Sequence, residues 1–376
     1  MPTEHTFDRG RPSGMAAVHQ RVTAELRRAR VPGLSLAVFT RDRVLYAAGF
    51  GSADLTSAAP VTPTTGFLWF SMSKIATATV TMTLVDDGSL GLDDLAVSHL
   101  PEFGIYRAAD RVTVRHLLNH TSGLANPVPV RWVTPADGRP PDSSALLRRL
   151  LPRHRRPSHE VGGSTHYSNL GYLVVAELVA RVAGAPFEDV VAARLLRPAS
   201  MARTGYRVPP GQPAATGHHR APAVLRPVFS ALLPAGILGP RVGGYLTFRP
   251  FYVVGAGYGG LIGDVLDVAR LGMLHLGDGT LGLTRVLSPG SAVLMRTVDT
   301  RGTQRDVGLG WFRSAPDRGA GPSFVEHLGG GGGFHTDLRI YPDLDLGVAL
   351  MGNSSSAYDH HALCSALVDL DWGPGH

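Results

Sequence analysis

Strand-like runs gather at the two ends of this 376-residue chain, and helix-like runs fill the middle. Near the N-terminus, residues 34–39 (LSLAVF) and 43–48 (RVLYAA) flank a Thr40-Arg41-Asp42 turn, the pattern of a β-hairpin. Near the C-terminus, 309–313, 323–327, 336–341 and 345–351 read as strands, and a closing helix covers about 358–370. Between them, 71–87 has neither Gly nor Pro and is apolar on nearly every side. That predicts a buried helix starting at Ser71 and ended by Asp86-Asp87-Gly88. Thr113 is placed to cap a helix over 113–119 that stops at Ser122-Gly123. Further helices are predicted over 170–183, closing at Gly184, and from Pro186 to about 197. This segregation predicts an α+β fold: an antiparallel sheet from both chain termini, flanked by helices, with an inserted mostly helical region. The expected organisation is one catalytic domain over 1–376, with an α/β part at about 15–70 and 255–376 and a helical part at about 71–254. Within it, the apolar segment 224–257 has Arg226, Arg241 and Arg249 as its only charges and is read as a lid or wall over a substrate site.

Composition excludes several function classes. With 44% hydrophobic and 18% charged residues the chain is globular rather than disordered. No apolar run reaches membrane-spanning length. Met1-Pro2-Thr3-Glu4-His5 lacks a basic region leading into an apolar one, so a cytoplasmic protein is expected. The single Cys364 rules out an internal disulfide and reads as a small buried hydrophobe. A pI of 9.8 with net charge +6 invites a nucleic-acid reading. The arginines are scattered, however, and their one cluster (Arg148, Arg149, Arg153, Arg155, Arg156) is read as a solvated loop. No nucleic-acid partner is expected.

Lys74 is the only lysine; every other basic side chain among the 36 Lys and Arg is Arg. Arg replaces Lys wherever only positive charge is needed, but it cannot lose its proton at a working pH. The exception sits in Ser71-Met72-Ser73-Lys74, an S-x-x-K. On a helix, residues three apart share a face, so the Ser71 hydroxyl and the Lys74 amine would meet. A helix N-terminus favours a developing alkoxide, and an apolar pocket lowers the pKa of a lysine. Phe67-Leu68-Trp69-Phe70, Met72 and Ile75 would supply that pocket. Ser71 is therefore a candidate nucleophile and Lys74 a candidate general base.

Two further elements carry chemistry. Tyr167-Ser168-Asn169 stands in a loop just before a helix. Tyr167 can exchange a proton if a cation stabilises its phenolate, and Asn169 can reach a substrate carbonyl or Lys74. Alone, the tripeptide reads more simply as a packed Tyr and an N-cap. His327-Leu328-Gly329 opens a run of five glycines ending at Gly333, where backbone N–H groups could stabilise an oxyanion. Other signals are weaker. Gly255-x-Gly257-x-x-Gly260 matches a dinucleotide fingerprint but lacks a second parallel strand. His218-His219 and His360-His361 lack metal-site spacing and read as exposed or capping residues. No G-x-S-x-G occurs.

Taken in order, S-x-x-K, Y-x-N and H-x-G resemble the class C β-lactamase and DD-peptidase-like serine hydrolases. Leu117-Leu118-Asn119-His120-Thr121-Ser122-Gly123-Leu124 resembles that family's L-L-x-H-T-S-G-L, and Tyr167-Ser168-Asn169-Leu170-Gly171-Tyr172 its Y-S-N-x-G-Y. Gly259-Gly260 with Asp267-Val268-Ala269-Arg270, and Gly308-Leu309-Gly310-Trp311, also fit, so the likeness spans roughly 20–370. It implies a β-lactamase/transpeptidase-like fold and an acyl-enzyme on Ser71, with Lys74 and Tyr167 sharing the base role. It implies an oxyanion hole from the Ser71 and Gly330 N–H groups, with Asn169, His327 and Gly329 orienting the substrate. No metal or cofactor is needed. Where the lactamases have K-T-G to bind a substrate carboxylate, this chain has His327-Leu328-Gly329. An esterase or transacylase acting on a small ester, thioester or amide is therefore expected ahead of a β-lactamase or D-amino-acid peptidase. The non-enzyme alternative is a retired penicillin-binding-like sensor. The basic 148–156 stretch could also meet an acyl carrier protein.

Overall fold

The computed structural model describes residues 3–5, 15–314, 321–356 and 358–372. Met1-Pro2, part of the stretch read above for a leader, lies outside the described residues. The main sheet has strands β1 (Thr3–His5), β2 (Gly33–Phe39), β3 (Val44–Asp54), β4 (Ala59–Pro60), β5 (Arg305–Val307), β6 (Phe312–Ser314), β7 (Val325–Gly331), β8 (Phe334–Tyr341) and β9 (Leu346–Gly352). Their order is β1-β3-β2-β9-β8-β7-β6-β5, with β4 beside β3. Every pairing is antiparallel. The two ends of the chain meet at β2 and β9, in register from Gly347↔Phe39 to Gly352↔Leu34. The α+β reading and the two-ended sheet are what the structure has.

Both faces of the central strands are buried, which is why they read as nearly continuous apolar runs. Successive strand side chains point to opposite faces. Leu34, Leu36 and Val38 face a layer built with α1 (Met15–Ala29) and the closing helix His360–Val368, while Ala37 and Phe39 face the larger helical layer. That layer is centred on α2 (Ser73–Asp86), in which twelve residues from Ser73 to Leu84 are all buried. Thr77, Thr79, Thr81 and Thr83 alternate along it, a strand-like spacing. The helix accommodates them because each hydroxyl is satisfied by a backbone carbonyl three or four residues back, at 2.8–3.3 Å, so none is buried without a partner.

Other elements form as their caps predict. Thr113 accepts from the His116 N–H and begins Val114–Leu118. Ser168 accepts from the Gly171 N–H and begins α3 (Asn169–Ala183), which Gly184 ends at φ +65°. Three expectations need correction and a fourth, the mostly helical middle, needs an addition. The α-helix starts at Ser73, and Ser71 lies in a 3-10 turn, Phe70–Met72. The run 309–313 is broken between β5 and β6 because Gly310 turns the backbone at φ +80°. Arg148 and Arg149 are on the exposed face of helix Ser143–Leu150, not in a loop, since Leu146, Leu147 and Leu150 anchor that helix inside. Finally, the middle region is not only helical. His218–Arg220, Leu238–Val242 and Tyr245–Phe248 make a three-stranded antiparallel sheet, and Arg226–Leu232 is a short helix beside it. Gly243-Gly244, between Val242 and its partner Tyr245, is the two-residue hairpin turn that signals it. Among the described residues, no single helix is long and apolar enough to cross a membrane.

Candidate active site

The turn carrying Ser71 is clamped from two sides. The Trp69 N–H donates to the Leu261 carbonyl at 2.9 Å, and Leu68 pairs with Ile262. From the sheet, the Thr336 hydroxyl donates to the Trp69 carbonyl at 3.0 Å. Strand β7 passes so close that a Cβ on Gly329 would stand 2.0 Å from that same oxygen, so only glycine fits there. Phe70, the residue before Ser71, is held at φ +47°, a strained conformation for a bulky side chain. The clamp over-determines the turn and fixes Ser71 where α2 begins.

One helical turn on, Lys74 is fully buried. Its Nζ lies 2.8 Å from Asn169 Oδ1, 3.0 Å from the Tyr258 carbonyl and 3.3 Å from Ser71 Oγ. The first two partners are acceptors only. A neutral amine spends its two N–H groups on them and aims its lone pair at the Ser71 hydroxyl. Burial, and then the nearby Arg305 guanidinium, hold the Lys74 pKa well below its ordinary value. Both effects disfavour the charged ammonium. The ammonium also has no carboxylate partner among the hydrogen bonds and ion pairs described for Lys74. An amine so placed is a competent proton acceptor for Ser71.

Tyr167 closes the other side of the pair. Lys74 Nζ is 4.7 Å from its ring centre. The hydroxyl bonds with Ser71, which favours the phenolate, as does Arg305. Its dense surroundings outweigh both and push the phenol up to about 12. Tyr167 is therefore a neutral hydroxyl near pH 7, able to relay a proton rather than to act as the resting base. Asn169, first residue of α3, is held through its N–H by Asn126 Oδ1 at 3.0 Å.

His327 does not stand where a substrate anion could meet a charge. It is 2% exposed, packs on Phe312 at 4.7 Å, and its Nδ1–H donates to the Leu328 carbonyl at 2.8 Å. Burial, then Lys74, keep it neutral. Its ring faces Tyr167 at 6.3 Å. Three residues of the site were not singled out from the sequence. Arg305 lies over the Tyr167 ring at 5.2 Å and over Phe312 at 4.5 Å, supplying a cation that His327 does not. His120, at φ +62°, stacks on Tyr167 at 4.5 Å and accepts the Ser168 N–H at Nδ1. Tyr258 supplies its carbonyl to Lys74. His120 lay in a quoted motif, but Arg305 had no local signal.

A cavity of about 380 Å³ opens at Ser71. Of the predicted residues, Ser71, Asn169 and Gly330 line it; Lys74, Tyr167, His327 and Gly329 do not. Its far side is apolar and comes largely from the 224–257 segment, including Phe229, Leu233, Ile237, Phe248 and Phe251. No Asp, Glu, Lys or Arg is among the lining residues.

The glycines set aside as a dinucleotide signal have a packing role. A Cβ on Gly257 would stand 2.4 Å from the Tyr172 carbonyl, so the short helix Ala256–Gly259 can press on α3 and bring Tyr258 to Lys74. His218 is fully buried rather than exposed, with Nδ1 at 3.1 Å from the Asn353 carbonyl. Glu326, His360 and His361 cluster closely enough to suggest a metal. Arg339 already fills that role as the cation: it bonds Glu326 through Nε at 2.9 Å and contacts His361 Nδ1 at 2.8 Å.

The Beta-lactamase family model matches residues 18–370. Protein Rv1367c of Mycobacterium tuberculosis is 30% identical over 280 residues, 69% of this chain and 66% of that protein, just under two thirds of its length. Penicillin-binding protein 4 of Amycolatopsis lactamdurans is 30% identical over 344 residues, 87% of this chain and 82% of that protein. The solved structure of EstCE1, a hydrolase with promiscuous acyltransferase activity, superposes with TM-score 0.71 at 23% identity over 95% of this chain and 99% of that one.

Proposed function

The chain belongs to the beta-lactamase family, and on that premise we propose that it is a serine hydrolase that forms an acyl-enzyme on Ser71 and passes the acyl group to water, an alcohol or an amine. The observation that supports this most is the Lys74 amine, committed by two acceptors and aimed at Ser71 Oγ. In the proposed reaction the Ser71 proton moves to Lys74 as Oγ attacks the substrate carbonyl carbon. The N–H groups of Ser71 and Gly330 stabilise the resulting oxyanion. When the bond to the leaving group breaks, the Lys74 proton reaches the leaving oxygen or nitrogen through the Tyr167 hydroxyl. Deacylation repeats the cycle with water, an alcohol or an amine as nucleophile, and regenerates the Ser71 hydroxyl.

The penicillin-binding relative favours a β-lactamase or D-amino-acid peptidase as the second reading. The cavity at Ser71 weighs against it, since no cationic side chain lines it to receive a substrate carboxylate. Exposed Arg148, Arg149, Arg153, Arg155 and Arg156 support an acidic carrier protein as one source of the acyl donor. Reversing their charge should then raise the KM for a carrier-bound donor but not for a small ester. The lone Cys364, buried and free, supports a reducing compartment such as the cytoplasm.

Stopped-flow hydrolysis of p-nitrophenyl acetate tests the main reading. A p-nitrophenol burst stoichiometric with enzyme is expected, and Ser71→Ala should remove it. A burst of unchanged size in that variant would refute a Ser71 acyl-enzyme.

A further inference from the structure

Resting on that acyl-enzyme reading, we propose that the apolar cavity beside Ser71 is the acyl pocket. It selects an uncharged, apolar acyl group of about eight to ten carbons, or one of equal bulk. The cavity holds about 380 Å³. At roughly 30 Å³ for each water-sized group, that is room for about twelve such groups. Ser71, Asn169 and Gly330 line it at the reacting hydroxyl; Phe229, Leu233 and Ile237 line it from the 224–257 segment, with His219 packed on Phe229 at 4.8 Å as the one imidazole among them. An ester bound with its carbonyl at the reacting hydroxyl therefore sends a tail under the 224–257 segment.

That tail is the acyl chain, not the leaving group. The leaving atom takes its proton from the Lys74–Tyr167 side, so it departs toward Tyr167. Tyr167, His327 and Arg305 do not line this cavity. What stays bonded to Ser71 must then occupy the side that excludes them. The depth of the pocket is set by an aromatic wall, Phe248 and Phe251, with ring centres 6.2 Å apart. A second cavity of about 320 Å³ lies against the same two residues. Phe251 thus acts as a stop between two apolar spaces.

The test is kcat/KM for p-nitrophenyl esters from acetyl to palmitoyl. Each buried CH2 is worth up to about fourfold. The wild type should gain at least about a hundredfold from acetyl to octanoyl and lose activity again by palmitoyl. A succinyl monoester should react at least about tenfold more slowly than the butyryl ester, because its carboxylate meets no cation in the pocket. Phe251→Ala should move the optimum to longer chains and Ile237→Trp to shorter ones. If either variant fails to fold, the wild-type profile still decides. A wild-type profile that is flat, or highest at acetyl, with a normal burst would overturn the acyl pocket and leave the acyl-enzyme standing. No turnover of any ester, or turnover that survives Ser71→Ala undiminished, would overturn both.

Discussion

On one side of Ser71 lie Lys74, Tyr167, His120, His327 and Arg305; on the other lie Phe70, Leu233, Ile237, Phe248 and Phe251. The first group is titratable or charged, and buried or close-packed. Burial dominates their protonation: it and then Arg305 disfavour the Lys74 ammonium, and it keeps His120 and His327 neutral. The second side is apolar apart from His219, whose imidazole burial keeps toward the neutral form. Proton handling is therefore fixed by elements of the main fold: α2, the start of α3 and strands β5 and β7. The apolar wall comes mainly from a local insertion, the small sheet and short helix of the middle region. The two halves thus come from different elements of the fold.

Substitutions on the first side should show the largest effects. Lys74→Arg puts a permanent cation in place of the amine that would take the Ser71 proton. A fall in kcat of about 10²–10⁴-fold is expected, and wild-type turnover would break the division of roles. Tyr167→Phe removes the relay and should cost about 10²-fold in kcat with little change in burst amplitude. Arg305→Gln should act through pH. Turnover needs neutral Lys74, so kcat/KM falls as pH drops through the Lys74 pKa. Removing the neighbouring cation raises that pKa. The acid limb of the profile then moves to higher pH, while activity at alkaline pH stays near wild type. A limb that does not move would show that Arg305 is not felt by Lys74.

The smallest effect is expected where the two halves join. Gly257→Ala forces a methyl against the Tyr172 carbonyl, which would stand 2.4 Å away. Overpacking of this kind costs about 1–3 kcal/mol, to be read as a lowered midpoint in urea unfolding. Because Tyr258 would shift with it, some loss of kcat should accompany the lost stability. An unchanged midpoint would mean that the short helix is not tightly seated on α3.

The residues readable from the sequence are those whose geometry is local. Ser71 and Lys74 are one helical turn apart, so spacing alone brings them together; Tyr167 and Asn169 flank a cap and are singled out by the resemblance rather than by their spacing. The start of α2 was misplaced by two residues because the 3-10 turn and the helix use the same residue types. Arg305 was illegible for a different reason: it reaches Tyr167 only through the pairing of β5 with β6 and β6 with β7. Nothing local separates it from the other arginines of the chain. The small sheet had a signal in Gly243-Gly244, but the glycine- and proline-rich sequence around it obscured the strands.

The most direct measurement is intact-protein mass, followed by peptide mapping, after seconds of exposure to p-nitrophenyl octanoate. One octanoyl group on the peptide containing Ser71, absent in Ser71→Ala and lost as p-nitrophenol accumulates, is the predicted result. Turnover that persists undiminished in Ser71→Ala, or an adduct that maps to another residue and survives in that variant, would contradict catalysis through Ser71.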